Sequence, residues 1–323
     1  MVANPLEPDL SVELAPRKGL VLSNPVMVAS GTFGYGEEYA ELIDIQRLGA
    51  IISKGVTLEP RSGNPQPRLV ETPAGLLNSI GLENIGLEAL IREKAPLWAG
   101  WRVPVLVNIA GQSLEEYVEL ARRLDGVPGV RGLEVNLGCP NLPGGGMEFG
   151  TDPDLAAKVT EEVATQTSLP IIVKLSPNVT DIVGIAKAVV AAGADALTLA
   201  NTVRAMAIDL TKRQPALGGI FGGLSGPAIK PIALYLIYRV AQEVEVPLIG
   251  CGGISTAEDA LEFILAGASA IQVGTAIFAN PTTPLEILED LRNFLVQEGI
   301  EHLSSLVGVA NRGRNEVVGD LNG

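Results

Sequence analysis

Six polar side chains each close a short apolar run: Ser30 after VMVA, Lys54 after IIS, Asn108 after VLV, Asn136 after LEV, Lys174 after IIV and Asn201 after LTLA. Two further runs close in glycine turns, Gly252-Gly253-Ile254-Ser255 and Gly274-Thr275. Amides donate and accept hydrogen bonds, ammonium groups offset negative charge, and bare backbone N–H groups at a turn that opens a helix attract phosphate. The set predicts a phosphate-bearing ligand, substrate or cofactor. Lys174 is the candidate to face the electron-rich ring edge of a flavin and stabilise its reduced anion. Taken singly, each residue has a plainer reading, as a solvated strand end or a tight turn that needs glycine for its backbone alone.

Cys139 lies in NLGCPNLPGGGMEFGTD, a glycine- and proline-rich segment beside these asparagines. An isolated cysteine is usually a small buried hydrophobe. On a loop suited to move over a site it becomes a general base, provided its pKa of about 8.5 is lowered or the pH supplies thiolate. The segment from Gly138 to Thr151 is expected to act as its lid. Cys251 is read as packing, and His302, the one imidazole, as a surface or structural residue.

Short β-branched runs recur at 26–29, 50–53, 104–107, 132–135, 170–173, 194–199, 246–250 and 268–273. Amphipathic stretches alternate with them, beginning near Glu115, Asp154, Thr180 and Thr256. The last starts with Ser255-Thr256 and acids in its first turn, and stops at Gly267. Eight such βα units predict a single-domain α/β (β/α)8 TIM barrel, whose active site gathers at the C-terminal strand ends. An open doubly wound sheet is the runner-up, disfavoured because neither G-x-G-x-x-G nor a phosphate-binding G-x-x-x-x-G-K-[ST] loop follows a strand. The barrel is expected over 1–310, with insertions at about 55–102 and 202–245, each an excursion over one end, and a loose tail over 311–323.

With 23 Lys+Arg against 37 Asp+Glu, the 323-residue chain carries a formal charge of −14. Such acidity repels nucleic-acid backbones and anionic lipid. No secretory signal or apolar run of membrane-spanning length is visible. Two distant cysteines and one histidine exclude an ordinary zinc site and an iron–sulfur cluster held by this chain alone. A reducing cytoplasm is the expected setting.

NLGCPN (Asn136 to Asn141), with Gly144-Gly145-Gly146 and FGTDP (Phe149 to Pro153), resembles the catalytic loop of dihydroorotate dehydrogenases. The resemblance continues in order through ASGTFGYG from Ala29, SKGVT from Ser53, NSIGLEN from Asn78, VKLSPN around Lys174, ANT from Ala200, LSGPAIKP from Leu224, GCGGIS from Gly250 and VGTA from Val273. It spans about Ser11 to Leu295 and implies a flavin-containing barrel that oxidises dihydroorotate to orotate in pyrimidine synthesis. By this resemblance Ser30, Lys54, Gly55, Asn108, Asn136, Lys174, Ala200, Gly226, Gly252, Gly253, Gly274 and Thr275 hold FMN. Lys54, Asn78, Ser79, Ile80, Gly81, Leu82, Asn136, Asn201 and Thr202 face the substrate, and Cys139 is the base.

Cysteine at the base position resembles the soluble class 1 branch. The GGGMEFGTDP continuation resembles its type B, in which a partner subunit carrying FAD and a 2Fe-2S cluster passes electrons to NAD. A heterotetramer of two catalytic and two electron-transfer subunits is then expected. Gly138 departs from the family's usual serine and Glu83 from its usual glutamine. The competing readings are a type A homodimer using fumarate, a dihydropyrimidine dehydrogenase-like flavin barrel acting on a ring without a carboxylate, and a catalytically silent scaffold barrel.

Overall fold

The computed structural model describes residues 7–138 and 149–312. Cys139 and most of its loop therefore lie outside the described residues. Eight parallel strands close into a barrel in chain order. They are β1 (Val26–Val28), β2 (Ala50–Ile52), β3 (Val105–Ile109), β4 (Val130–Asn136), β5 (Ile171–Lys174), β6 (Ala196–Leu199), β7 (Leu248–Cys251) and β8 (Ala270–Val273). All eight expected strands are present, and the (β/α)8 expectation holds.

The four expected helices are also present: α1 (Leu114–Leu124), α2 (Pro153–Gln166), α3 (Ile182–Ala191) and, after α4 (Lys230–Val240), α5 (Ala257–Ala266). α6 (Thr283–Glu298) follows β8. The start read at Ser255-Thr256 is a full capping box. Thr256 Oγ1 accepts from the Asp259 N–H, and the Asp259 carboxylate accepts from the Thr256 N–H. Gly267 ends the helix at φ +125°.

Side chains alternate across each strand, so inward-facing residues recur every second position. Met27, Ala50, Ile52, Leu106, Ile172, Ala196, Ile249 and Ala270 form the lower inward layer. Beneath them an antiparallel hairpin, Val12–Ala15 with Leu20–Leu22, contributes Val12, Leu14, Leu20 and Leu22 to the same cluster. This hairpin is the barrel's floor. Lys18 at its tip donates to Leu169 O at 2.8 Å and pairs with Asp195 at 3.2 Å, fastening it below β5 and β6.

The two insertions do more than the sequence suggests. Leu69–Thr72 and Gly75–Asn78 from the first join Val203–Ala205 and Gly222–Ser225 from the second in one four-stranded antiparallel sheet beside the barrel mouth. Their pairing is non-local, with Gly223 opposite Asn78, which no local pattern announces. At the other end of the chain the short helix Val309–Arg312 is tied back by Asn311 Nδ2 to Ala266 O at 2.9 Å. Residues 313–323 lie outside the described residues.

Candidate active site

Two residues above the lower inward layer, the same alternation turns a polar set into the barrel: Asn108 after Leu106, Lys174 after Ile172, Thr198 after Ala196, Cys251 after Ile249 and Gln272 after Ala270. Glu134 joins them from β4, where it stands opposite Asn108 in register. Its side chain is fully buried. It accepts from Asn108 Nδ2 at 2.7 Å, Gln272 Nε2 at 2.7 Å and Thr198 Oγ1 at 3.0 Å, and lies 3.7 Å from Lys174 Nζ. Lys174 in turn donates to Gln272 Oε1 at 3.2 Å and reaches Cys251 Sγ at 4.0 Å.

Burial works against the charge on Lys174, yet its pKa stands above the ordinary lysine value because anionic neighbours outweigh that cost. Cys251 contributes only as a thiolate, and burial raises its own pKa. Glu134, 3.7 Å from Lys174 Nζ, is the second such neighbour.

Above this layer opens a cavity of about 310 Å³. Ser30, Lys54, Gly55, Asn108, Asn136, Lys174, Ala200, Gly226, Gly252, Gly253, Gly274 and Thr275 all line it, as do Asn78, Ile80, Gly81, Leu82, Asn201 and Thr202. Ser79 does not: it is fully buried behind the wall, its hydroxyl accepting from Asn64 Nδ2 at 3.0 Å. Cys251 is buried as a packing residue would be, but it also forms part of the cavity wall. His302 sits far out on the surface, 3.5 Å from Asp9.

One wall is a run of amides. Asn136 Nδ2 donates to Asn108 Oδ1 at 3.3 Å, and Asn201 Nδ2 donates to Asn136 Oδ1 at 3.2 Å. Gly55 approaches so closely that a Cβ there would stand 2.8 Å from Asn108 Oδ1. Lys54 faces the same cavity and pairs with no carboxylate among the described residues. Glu83 is held by Arg68 at 2.6 Å. At Gly138 a Cβ would lie 3.1 Å from Asn201 Nδ2, so a serine there requires Asn201 to give way.

The opposite side is glycine-rich for two different reasons. Gly253 has φ +76°, and a Cβ would meet Gly226 O at 2.8 Å, so the turn itself needs glycine. Gly274 has no such need: a Cβ would find Ala29 Cβ at an ordinary 3.5 Å. Its bareness leaves open space in the wall beside Thr275, whose hydroxyl donates to Ser225 at 2.8 Å. Such a cradle of backbone N–H groups fits a phosphate, and Lys174 with the amides fits a flat ring of carbonyls and ring nitrogens. The residues present therefore suit a flavin mononucleotide.

Sequence reasoning reached the strand ends and missed what lies inside the strands: Glu134, Thr198 and Gln272. The available signal was a polar residue two positions beyond an inward apolar one, interrupting runs such as GLEV and AIQV. Ser225 and Phe278 were also missed, though both line the cavity. Among the described residues there is no cluster of three potential metal ligands and no helix long and apolar enough to cross a membrane.

Comparison with known proteins agrees with this site. The family model described as dihydroorotate dehydrogenase matches residues 14–295. A protein of Geotalea uraniireducens named dihydroorotate dehydrogenase B (NAD(+)), catalytic subunit, is 56% identical over 302 residues, covering 94% of this chain and 98% of the relative. The protein of that name from Desulforudis audaxviator is 56% identical over 294 residues, with 91% and 96% covered. That from Geobacter sulfurreducens is 53% identical over 302 residues, with 94% and 98% covered. A barrel with this buried polar layer, amide wall and glycine cradle, matched over nearly its whole length, belongs to the flavin-dependent dihydroorotate dehydrogenase family.

Proposed function

We propose that this chain is the catalytic subunit of a cytoplasmic, NAD-linked dihydroorotate dehydrogenase that oxidises dihydroorotate to orotate for pyrimidine synthesis. The observation that carries the reading is the meeting, in one cavity, of an amide wall with Lys54 on one side and of Lys174 with the glycine cradle on the other. FMN would be held with its phosphate at Gly252, Gly253, Gly274 and Thr275, and with its ring against Lys174, Asn108 and Asn136. When bound, it supplies the acceptor for the hydride that leaves C6.

The chain's own residues do the rest. Lys54 offsets the substrate carboxylate, while Asn78, Asn136 and Asn201 hold the edges of its amide ring and so fix which face it presents. Cys139, as thiolate, takes the proton from C5, and the C5–C6 double bond forms as proton and hydride depart. Dihydroorotate loses one proton and one hydride, two protons and two electrons in all.

Two cysteines cannot hold a cluster, and no dinucleotide fingerprint is present, so the electrons need a second protein to reach NAD. The relatives' names, each a "catalytic subunit", support such a partner. We assign it a 2Fe-2S cluster and FAD, in a complex of two subunits of each kind. Phe278, which lines the cavity and is 53% exposed, supplies apolar surface near the mouth for it.

The test is an anaerobic absorbance spectrum of the purified chain before and after dihydroorotate. Bleaching of a flavin band is expected, with NAD reduced at a useful rate only after co-expression with an iron–sulfur flavoprotein. A colourless protein that binds no flavin, or rapid NAD reduction by the chain alone, rejects the respective half of the proposal.

A further inference from the structure

Glu134 hydrogen-bonds to none of the cradle glycines, and no step above uses it. Its position is nonetheless unusual, as a fully buried carboxylate with hydrogen-bond donors on every side. An ionised carboxylate can only accept hydrogen bonds, whereas an amide can present either end. Asn108 must therefore turn its NH2 group to Glu134, which leaves its oxygen facing Asn136 Nδ2 at 3.3 Å.

The other two amides of the wall have backbone anchors as well. Asn136 Oδ1 accepts from the Gly138 N–H at 3.2 Å, and Asn201 Oδ1 accepts from the Thr202 N–H at 2.8 Å. Asn108 has no backbone anchor for its side chain among the described residues. Its orientation rests on Glu134. Reversed, it would set its NH2 against that of Asn136 and its oxygen against the carboxylate, losing two buried hydrogen bonds. Gln272 is oriented by the same logic, its NH2 on Glu134 and its oxygen on the Lys174 ammonium.

We infer that Glu134 is a positioning residue that sets the hydrogen-bond polarity of the cavity floor. Every amide oxygen in the wall then accepts at least one hydrogen bond from protein, and each NH2 keeps one N–H uncommitted among the described residues. The floor offers donors and the Lys174 cation, and selects ligands that present oxygen acceptors, as the carbonyls of a flavin ring and the carbonyls and carboxylate of orotate do. This inference rests on the proposed reading of the cavity and names what fixes its selectivity.

Two measurements test it. Neutron diffraction from deuterium-exchanged crystals of the wild-type protein, which needs no ligand, is expected to show an Asn108 N–D on an unprotonated Glu134. An amide oxygen there, against a protonated carboxyl, overturns the inference. Calorimetric titration with orotate then compares Glu134→Gln, the better isostere, with Glu134→Asp, which keeps acceptor-only chemistry. The Gln variant is expected to lose roughly tenfold or more in affinity, the Asp variant less. Wild-type affinity in the Gln variant, or a greater loss in the Asp variant, means that Glu134 acts by packing and overturns it. Should the Gln variant fail to fold, or the wild type bind no orotate, the neutron result still decides; the latter outcome rejects the substrate reading instead.

Discussion

Lys174 is a cation inside a barrel, and the one carboxylate beside it among the described residues, Glu134, decides what removing it does. Lys174→Met leaves Glu134 buried without its counter-charge and is expected to lower stability by about 3 kcal/mol. Glu134→Gln added to that variant should recover part of the loss, as urea unfolding of the single and double variants would reveal. Full additivity would mean that the 3.7 Å pair carries no coupling. Cys139 makes the complementary prediction. Cys139→Ser should keep the bound flavin yet slow its reduction by dihydroorotate at least a hundredfold at pH 7, since a serine hydroxyl yields almost no anion there. Anaerobic stopped-flow across pH measures this, and an unchanged rate constant would remove Cys139 from the chemistry.

At the scale of the element, two glycines separate what the fold needs from what a ligand needs. Gly253→Ala forces a side chain to adopt φ +76° and should cost about 1–3 kcal/mol. Gly274→Ala should leave stability within about 0.5 kcal/mol, because its Cβ has room, while reducing the fraction of protein purified with flavin. Thermal melts and bound-flavin content, measured on both, distinguish them; full flavin content in Gly274→Ala would move the phosphate elsewhere. The start of α5 carries a pH signature. Burial would raise the Asp259 pKa, but the hydrogen bonds from Lys230 and Ser255 prevail and hold it below the usual carboxylate range. A depressed folded pKa stabilises above the unfolded value of about 3.9, and the contribution disappears as pH falls through the folded value. Wild type should accordingly be more stable than Asp259→Asn at pH 6, with the gap closing below about pH 4.

At the scale of the whole molecule, the barrel is closed below by the hairpin and built up above by the insertions, so the apolar floor and the cavity occupy opposite ends. Leu14 is fully buried in the floor. Leu14→Ala should cost 2–5 kcal/mol, in proportion to the cavity it leaves, with flavin content unchanged. Urea unfolding followed by intrinsic fluorescence would read the first and absorbance the second. Loss of flavin alongside stability would mean that floor and mouth are mechanically coupled.

The barrel strands and main helices were legible in the sequence because their signals are local: β-branched runs, helical spacing of apolar residues, and caps such as Thr256 and Gly267. The strand-end residues were legible for the same reason, since each polar side chain ends its own run. Three things belonged to the tertiary structure. Glu134, Thr198 and Gln272 become a site only when barrel closure brings β4, β6 and β8 around one axis, which no single strand records. The four-stranded sheet depends on pairing Asn78 with Gly223, and the floor hairpin on packing Leu14 and Leu22 beneath strands far along the chain. The need for glycine at 253, and its absence at 274, likewise follows from what surrounds each backbone in space, which the letters alone do not carry.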